Sequence, residues 1–164
     1  MVPGRIPVNR QRGFTIAELL VVIALIGIIA VTATPLFLSF LEGQQTRGAA
    51  QQVATLLNQA RQLAITRNQN ICVETAATQL RFCPGGCTGA VCSGTPFVGP
   101  GTDVNGWMRL QNQSVITAVT QNPTFNPLGT AGSGTITTQN ARGSSSRNIE
   151  FSPDPADRSP YRFG

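Results

Sequence analysis

Between Leu19 and Leu41 the chain carries no charge, and a run of 23 such residues restricts what its N-terminal third can become. At about 1.5 Å per residue, a helix over this stretch reaches roughly 35 Å, enough to cross a hydrocarbon layer of about 30 Å. Three arginines precede it, Arg5, Arg10 and Arg12. They favour a cytoplasmic N-terminus and send the C-terminal bulk across the membrane. A secretory signal places its apolar core before the cleavage point. Here the small-residue junction that follows the basic leader, Gly13-Phe14, comes first, so a cut there keeps the apolar run. A single acid, Glu18, stands at the head of the run, where an ionised group costs about 3 kcal/mol, which makes it a functional candidate. Pro35 lacks a backbone donor and crowds the preceding turn, so a kink or a melted turn is expected over residues 30–34.

The string Arg12-Gly13-Phe14-Thr15-Ile16-Ala17-Glu18-Leu19-Leu20 resembles the type III signal of type IV pilins and pseudopilins. The resemblance implies that a prepilin peptidase cuts between Gly13 and Phe14 and methylates the new amine on Phe14. It also implies that Glu18 attracts the N-terminal amine of a neighbouring subunit during assembly. Opposite charges at close range in a low dielectric make such a pairing selective for register. The partners so implied are other pilin or pseudopilin subunits, the peptidase and the bacterial inner membrane. The protein is then a single-pass prepilin with a periplasmic C-terminal domain that later joins a pilus or pseudopilus.

Charge adds little to this reading. The formal +5 includes three leader arginines; without residues 1–13, nine arginines stand against seven acids, or +2, and a basic chain's preference for nucleic acid mostly disappears. The organisation expected is a leader over 1–13, a transmembrane assembly helix over 14–41, its amphipathic continuation over 42–69 and a β-rich head over 70–164. The continuation follows from Ala49, Val53, Leu56, Leu57, Ala60, Leu63 and Ala64, which recur at helical spacing with glutamines and asparagines between them. Past Asn70 the signal changes to short β-type runs, 71–75, 79–83, 106–110, 114–120, 134–138 and 148–152, which predict an antiparallel sheet. The glycine- and serine-rich stretch 138–147 reads as mobile.

All four cysteines fall within the exported part, where an oxidising compartment favours disulfides. Zinc is disfavoured because the spacings lack paired knuckles and the chain has no histidine, so no metal and no cofactor are expected. Of three connectivities, Cys72–Cys83 with Cys87–Cys92 is expected. A hairpin register that pairs 72 with 83 also pairs Val73 with Phe82 and Glu74 with Arg81. An enzyme is not expected, since no serine sits in a nucleophile motif.

The spaced residues Ala60-Arg61, Ala64 to Asn68, Thr124 to Gly129 and Ile149 to Pro153 resemble the GspH/FimT branch of pilin-like proteins. This implies an α+β fold of the type IV pilin kind, a long N-terminal helix packed on a C-terminal antiparallel sheet. It also implies a minor pilin that helps to initiate or cap a type IV pilus, or a minor pseudopilin of a type II secretion system. A tip DNA-binding role is a further alternative, with Arg158 and Arg162 on phosphates and Tyr161 as a stacking platform. The tail Asp157-Arg158-Ser159-Pro160-Tyr161-Arg162-Phe163-Gly164 lacks the cysteine that ends the DNA-binding members.

Overall fold

The computed structural model describes residues 13–89, 91–111, 113–152 and 161–164. The chain divides into two compact units, one up to Ser39 and one from Phe40 to Gly164. Helix α1, Ile16–Arg67, contributes to both.

In the first unit the helical assignment passes through Pro35 without a break, and residues 30–34 remain helical. The melted turn expected there is absent. Local hydroxyls hold the turn: Thr32 Oγ1 donates to the Ile28 and Ile29 carbonyls, and Thr34 Oγ1 to the Ala30 carbonyl at 2.7 Å. The carbonyl that loses its donor to Pro35 is that of Val31, one residue beyond the carbonyls these hydroxyls reach.

In the second unit α1 buries Ala49, Val53, Leu56, Leu57, Ala60 and Ala64 of the expected stripe, together with Thr46, Ala50 and Ala54, while Leu63 is only partly buried. Its end is chemically specified. Asn68 adopts a left-handed conformation, φ 51°, its N–H donates to the Ile65 carbonyl, and the Gln69 N–H donates to the Ala64 carbonyl. This is the paired hydrogen-bond pattern that closes a helix C-terminus, with asparagine in place of the usual glycine.

The strands that follow are β1 Ile71–Ala76, β2 Gln79–Pro84, β3 Cys87–Thr88, β4 Val91–Cys92, β5 Met108–Arg109, β6 Val115–Val119, β7 Thr124–Phe125, β8 Gly134–Gln139, β9 Ser146–Phe151 and β10 Tyr161–Phe163. Instead of one sheet they form two of four strands, ordered β5-β2-β1-β7 and β10-β9-β8-β6, with β3-β4 as a separate hairpin. All pairings are antiparallel. Ile71, Val73, Leu80 and Phe82 from the first sheet and Ile116, Ile136, Ile149 and Phe151 from the second join the helix stripe in one core. The second unit thus packs the C-terminal part of α1, from Thr46 onward, on antiparallel sheets.

The register of β1 on β2 pairs Cys72 with Cys83, Val73 with Phe82 and Glu74 with Arg81, as the sequence implies. The disulfides nevertheless differ from expectation. They join Cys72 to Cys87 and Cys83 to Cys92, with Cα separations of 5.1 and 5.8 Å, so Cys72–Cys83 and Cys87–Cys92 are corrected. Val73 and Phe82 face the core, which leaves Cys72 and Cys83 on the other face of the sheet, and the β3-β4 hairpin, with Cys87 opposite Cys92, covers that face. Each bridge therefore runs between hairpins rather than across one.

The stretch 138–147 also departs from expectation. Its two ends, 138–139 and 146–147, belong to β8 and β9, and the turn between them is built around buried Asn140. The Asn140 N–H donates to the Ser145 carbonyl, Asn140 Nδ2 to Ser144 Oγ, and the Ser145 N–H to Asn140 Oδ1.

Candidate functional site

Gly13 and Phe14 precede the helix and are exposed, Phe14 by 81%. A Cβ built on Gly13 meets nothing within 4 Å, so no contact inside the described chain requires glycine there. Thr15 caps the helix. Its Oγ1 accepts the Glu18 N–H at 3.3 Å, and its carbonyl accepts the Leu19 N–H at 3.2 Å. Thr15 and Glu18 stand in the N-cap and N3 positions of a capping box, whose Thr-x-x-Glu spacing the sequence itself carries. The Glu18 backbone is thereby fixed in the first turn, where a carboxylate is favoured by the helix dipole.

The second unit carries no catalytic constellation among its described residues. Glu74, Cys83 and Cys92 bring potential metal donors within 4.8 Å of one another, but both sulfurs are in a disulfide and offer no thiolate. Glu74 instead accepts the Cys92 N–H at 3.1 Å and pairs with Arg81 at 2.7 Å, while the Arg81 guanidinium lies 4.4 Å over the Trp107 ring. This cluster fastens the disulfide-bearing hairpin to β1 and β2.

Of the residues expected to contact DNA, Arg158 lies outside the described residues. Arg162 is exposed on β10, and the register sets Glu150 directly opposite it, an acid that repels phosphate. Tyr161 is not a stacking platform. It is 6% exposed and belongs to the core, and burial pushes its phenol up to about 12 against a smaller opposing effect of the Arg61 charge. A groove of about 620 Å³ runs between β1 and β6, lined by uncharged residues that include Thr75, Ala77, Ile116, Thr117, Asn122 and Thr124.

A sharper local feature is the turn Asn126-Pro127-Leu128-Gly129. Asn126 Oδ1 accepts the N–H groups of Leu128 and Thr130 at 3.0 Å each, and Gly129 has φ 78°. The backbone conformation favours glycine at 129, while a Cβ there would need only the ends of the Ile65 and Arg61 side chains on α1 to shift.

The family described as type II transport protein GspH matches residues 49–154, and the prokaryotic N-terminal methylation motif matches residues 8–34. No curated protein matches the chain. Among solved structures the chain is similar to the type IV minor pilin FimU of Pseudomonas aeruginosa, with 16% identity and a TM-score of 0.49 over 76% of this chain and 90% of that one. The match over residues 49–154 spans the continuation of the helix and most of the strands, the methylation motif spans the junction before it, and the chain belongs to the GspH family of pilin-like subunits.

Proposed function

We propose that the protein is a minor structural subunit of a type IV pilus that helps to initiate or cap the filament. The observation that carries this reading is the order of parts at the N-terminus: an exposed Gly13-Phe14 junction, a capped helix start with Glu18 in its first turn, then an uncharged run long enough to cross a bilayer. Cleavage between Gly13 and Phe14 leaves the run attached as anchor and assembly helix, and Phe14 takes the methyl group. Because nothing among the described residues needs glycine at 13, the demand for a small residue is assigned to the peptidase that accepts it.

In this reading Glu18 recruits the amine of the neighbouring subunit, the head lies in the periplasm before assembly, and the role is structural rather than catalytic. The disulfide-laced head suits a filament exposed outside the cell, where bridges persist. A second reading, a minor pseudopilin of a type II secretion machine, is favoured by the match to the type II transport protein GspH family. Cell fractionation distinguishes the two. Antibody to the head detects the subunit in sheared surface filaments if it is a pilin. A subunit that stays with the envelope, and whose deletion stops export of folded enzymes while leaving pili intact, is a pseudopilin.

A further inference from the structure

Four cysteines close two bridges in three ways, and the stacked hairpins of the head bring a second way within reach of the observed one. The β1-β2 register sets Cys72 opposite Cys83, and the β3-β4 register sets Cys87 opposite Cys92. Opposed residues of an antiparallel pair hold their Cα atoms about 4.5–5.5 Å apart, inside the range a disulfide spans. The bridges of the finished head run instead between the hairpins, from Cys72 to Cys87 and from Cys83 to Cys92. Each hairpin by itself therefore offers only its local pair, and the observed pairs come within reach once the two are stacked.

What seats the second hairpin comes late in the chain. The Cys87 N–H donates to Thr124 Oγ1 at 3.2 Å, and Thr124 belongs to β7, which pairs with β1. In a head exported in chain order, all four thiols reach the oxidising compartment before Thr124 does, while each hairpin needs only local contacts and forms in about 1–10 μs. Distance along the chain adds to the bias. The local partners are 11 positions apart (72 to 83) and 5 apart (87 to 92), against 15 and 9 for the observed bridges. Loop closure alone then favours the local set by about fourfold. Stacking is favoured at the end, since it buries Cys72 and Cys83 completely and gives the Cys92 N–H its bond to Glu74, and in the stacked head the sulfurs are joined across.

We propose that the head is a substrate of a thiol–disulfide isomerase, which converts a first-formed set, Cys72–Cys83 with Cys87–Cys92, into the observed one. Forming the first set passes two electrons and two protons per bridge to a disulfide oxidant; the conversion that follows is neutral in electrons. The isomerase thiolate attacks Cys83 Sγ and frees the Cys72 thiolate. Cys72 attacks Cys87 Sγ and frees Cys92, and Cys92 then attacks Cys83 Sγ and releases the isomerase thiolate. Access sets the moment. Cys72 and Cys83 are wholly buried in the finished head, so the exchange takes place before the second hairpin closes over β1 and β2. The proposal rests on the exported head of the reading above and adds a partner that the chain meets before it reaches any filament.

The test follows the full chain in two bacterial hosts, one with and one without periplasmic disulfide isomerase activity. Thiols are blocked by acid and alkylation at intervals after a pulse of synthesis, and the bridges are assigned by fragmentation of non-reduced peptides. In the deficient host the local set should exceed the observed set by about fourfold or more, the closure bias, and in the proficient host the ratio should reverse. Purified reduced isomerase, added to the locally bridged protein from deficient cells, should convert it. Cys87→Ala with Cys92→Ala should close Cys72–Cys83 in both hosts, a pair that needs no second hairpin. The proposal is overturned by the observed set arising equally in both hosts, by locally bridged protein that the isomerase leaves unchanged, or by Cys72 and Cys83 remaining as thiols in the double variant. Thiols at all four positions of the unaltered chain in both hosts overturn the exported reading and this proposal with it.

Discussion

Tyr161 is the only tyrosine in the chain, so its phenol reports on the packing of the second unit without interference. With its pKa pushed up to about 12 by burial, the folded protein keeps the proton through a range in which the unfolded chain, near 10, gives it up. Its contribution to stability is therefore complete below about pH 10 and is lost as pH rises toward 12. Tyrosinate absorbance should titrate near pH 12 in the folded protein and near 10 in denaturant, and Tyr161→Phe should flatten the alkaline decline in stability between those values. A folded-state midpoint near 10 would show that the side chain is not buried. Two residues of the first unit call for tests of function rather than stability. Gly13→Val should leave the chain in the membrane uncleaved, read as retained leader mass, because the chain itself tolerates a side chain at 13 while the peptidase does not. Glu18→Ala should still be cleaved and inserted, since a costly acid is removed from the apolar run. It should be depleted from filaments by tenfold or so relative to the cleaved membrane pool, a ratio that a mere loss of helix capping does not change. Wild-type incorporation of this variant would end the recruitment role.

Among the elements, α1 and the β3-β4 hairpin depend on opposite means of fixation. The helix is held by apolar contact, and Leu57→Ala, at a fully buried position in the stripe, should cost about 2–5 kcal/mol in denaturant unfolding of the second unit. The two-residue strands β3 and β4 contribute little to the core and depend on their bridges. Non-reducing peptide mapping should find Cys72 with Cys87 and Cys83 with Cys92, and Cys72→Ala with Cys87→Ala should cost about 3 kcal/mol for a loop of this length. The helix stripe, its end at Arg67 and the β1-β2 register were all legible, because 3.6-residue and two-residue periodicities are local and Val73, Phe82, Glu74 and Arg81 reinforce a single alignment. The split into two sheets was not. β7 and β10 are two and three residues long and exist only because β1 and β9 offer them an edge, which no local pattern records. The bridges were misjudged for a related reason: the register brings Cys72 opposite Cys83 but says nothing of a second hairpin lying over both. At the N-terminus the opposite holds, since the Gly13-Phe14 junction and Glu18 are carried by contiguous residues, as is the Thr15 cap that went unnoticed.

For the whole molecule, the distribution of roles predicts separable phenotypes. Substitutions in the core of the second unit should lower the amount of subunit, whereas Glu18→Ala should leave the amount unchanged and alter only its location, read by comparing total protein with the sheared-filament fraction. Equal effects on both fractions from both classes would mean that abundance alone controls assembly. The bridging pattern of the head has one more consequence, which concerns covalent connectivity. With Cys72 joined to Cys87 and Cys83 to Cys92, the two links interleave along the chain. A single cut anywhere between residues 72 and 92 leaves both fragments tethered, whichever peptide bond is broken. The hairpin-local pairing would not have this property, because a cut at 84–86 would then release one hairpin from the other. Outside a cell, where proteases attack exposed turns first, a subunit nicked within this stretch still remains one molecule.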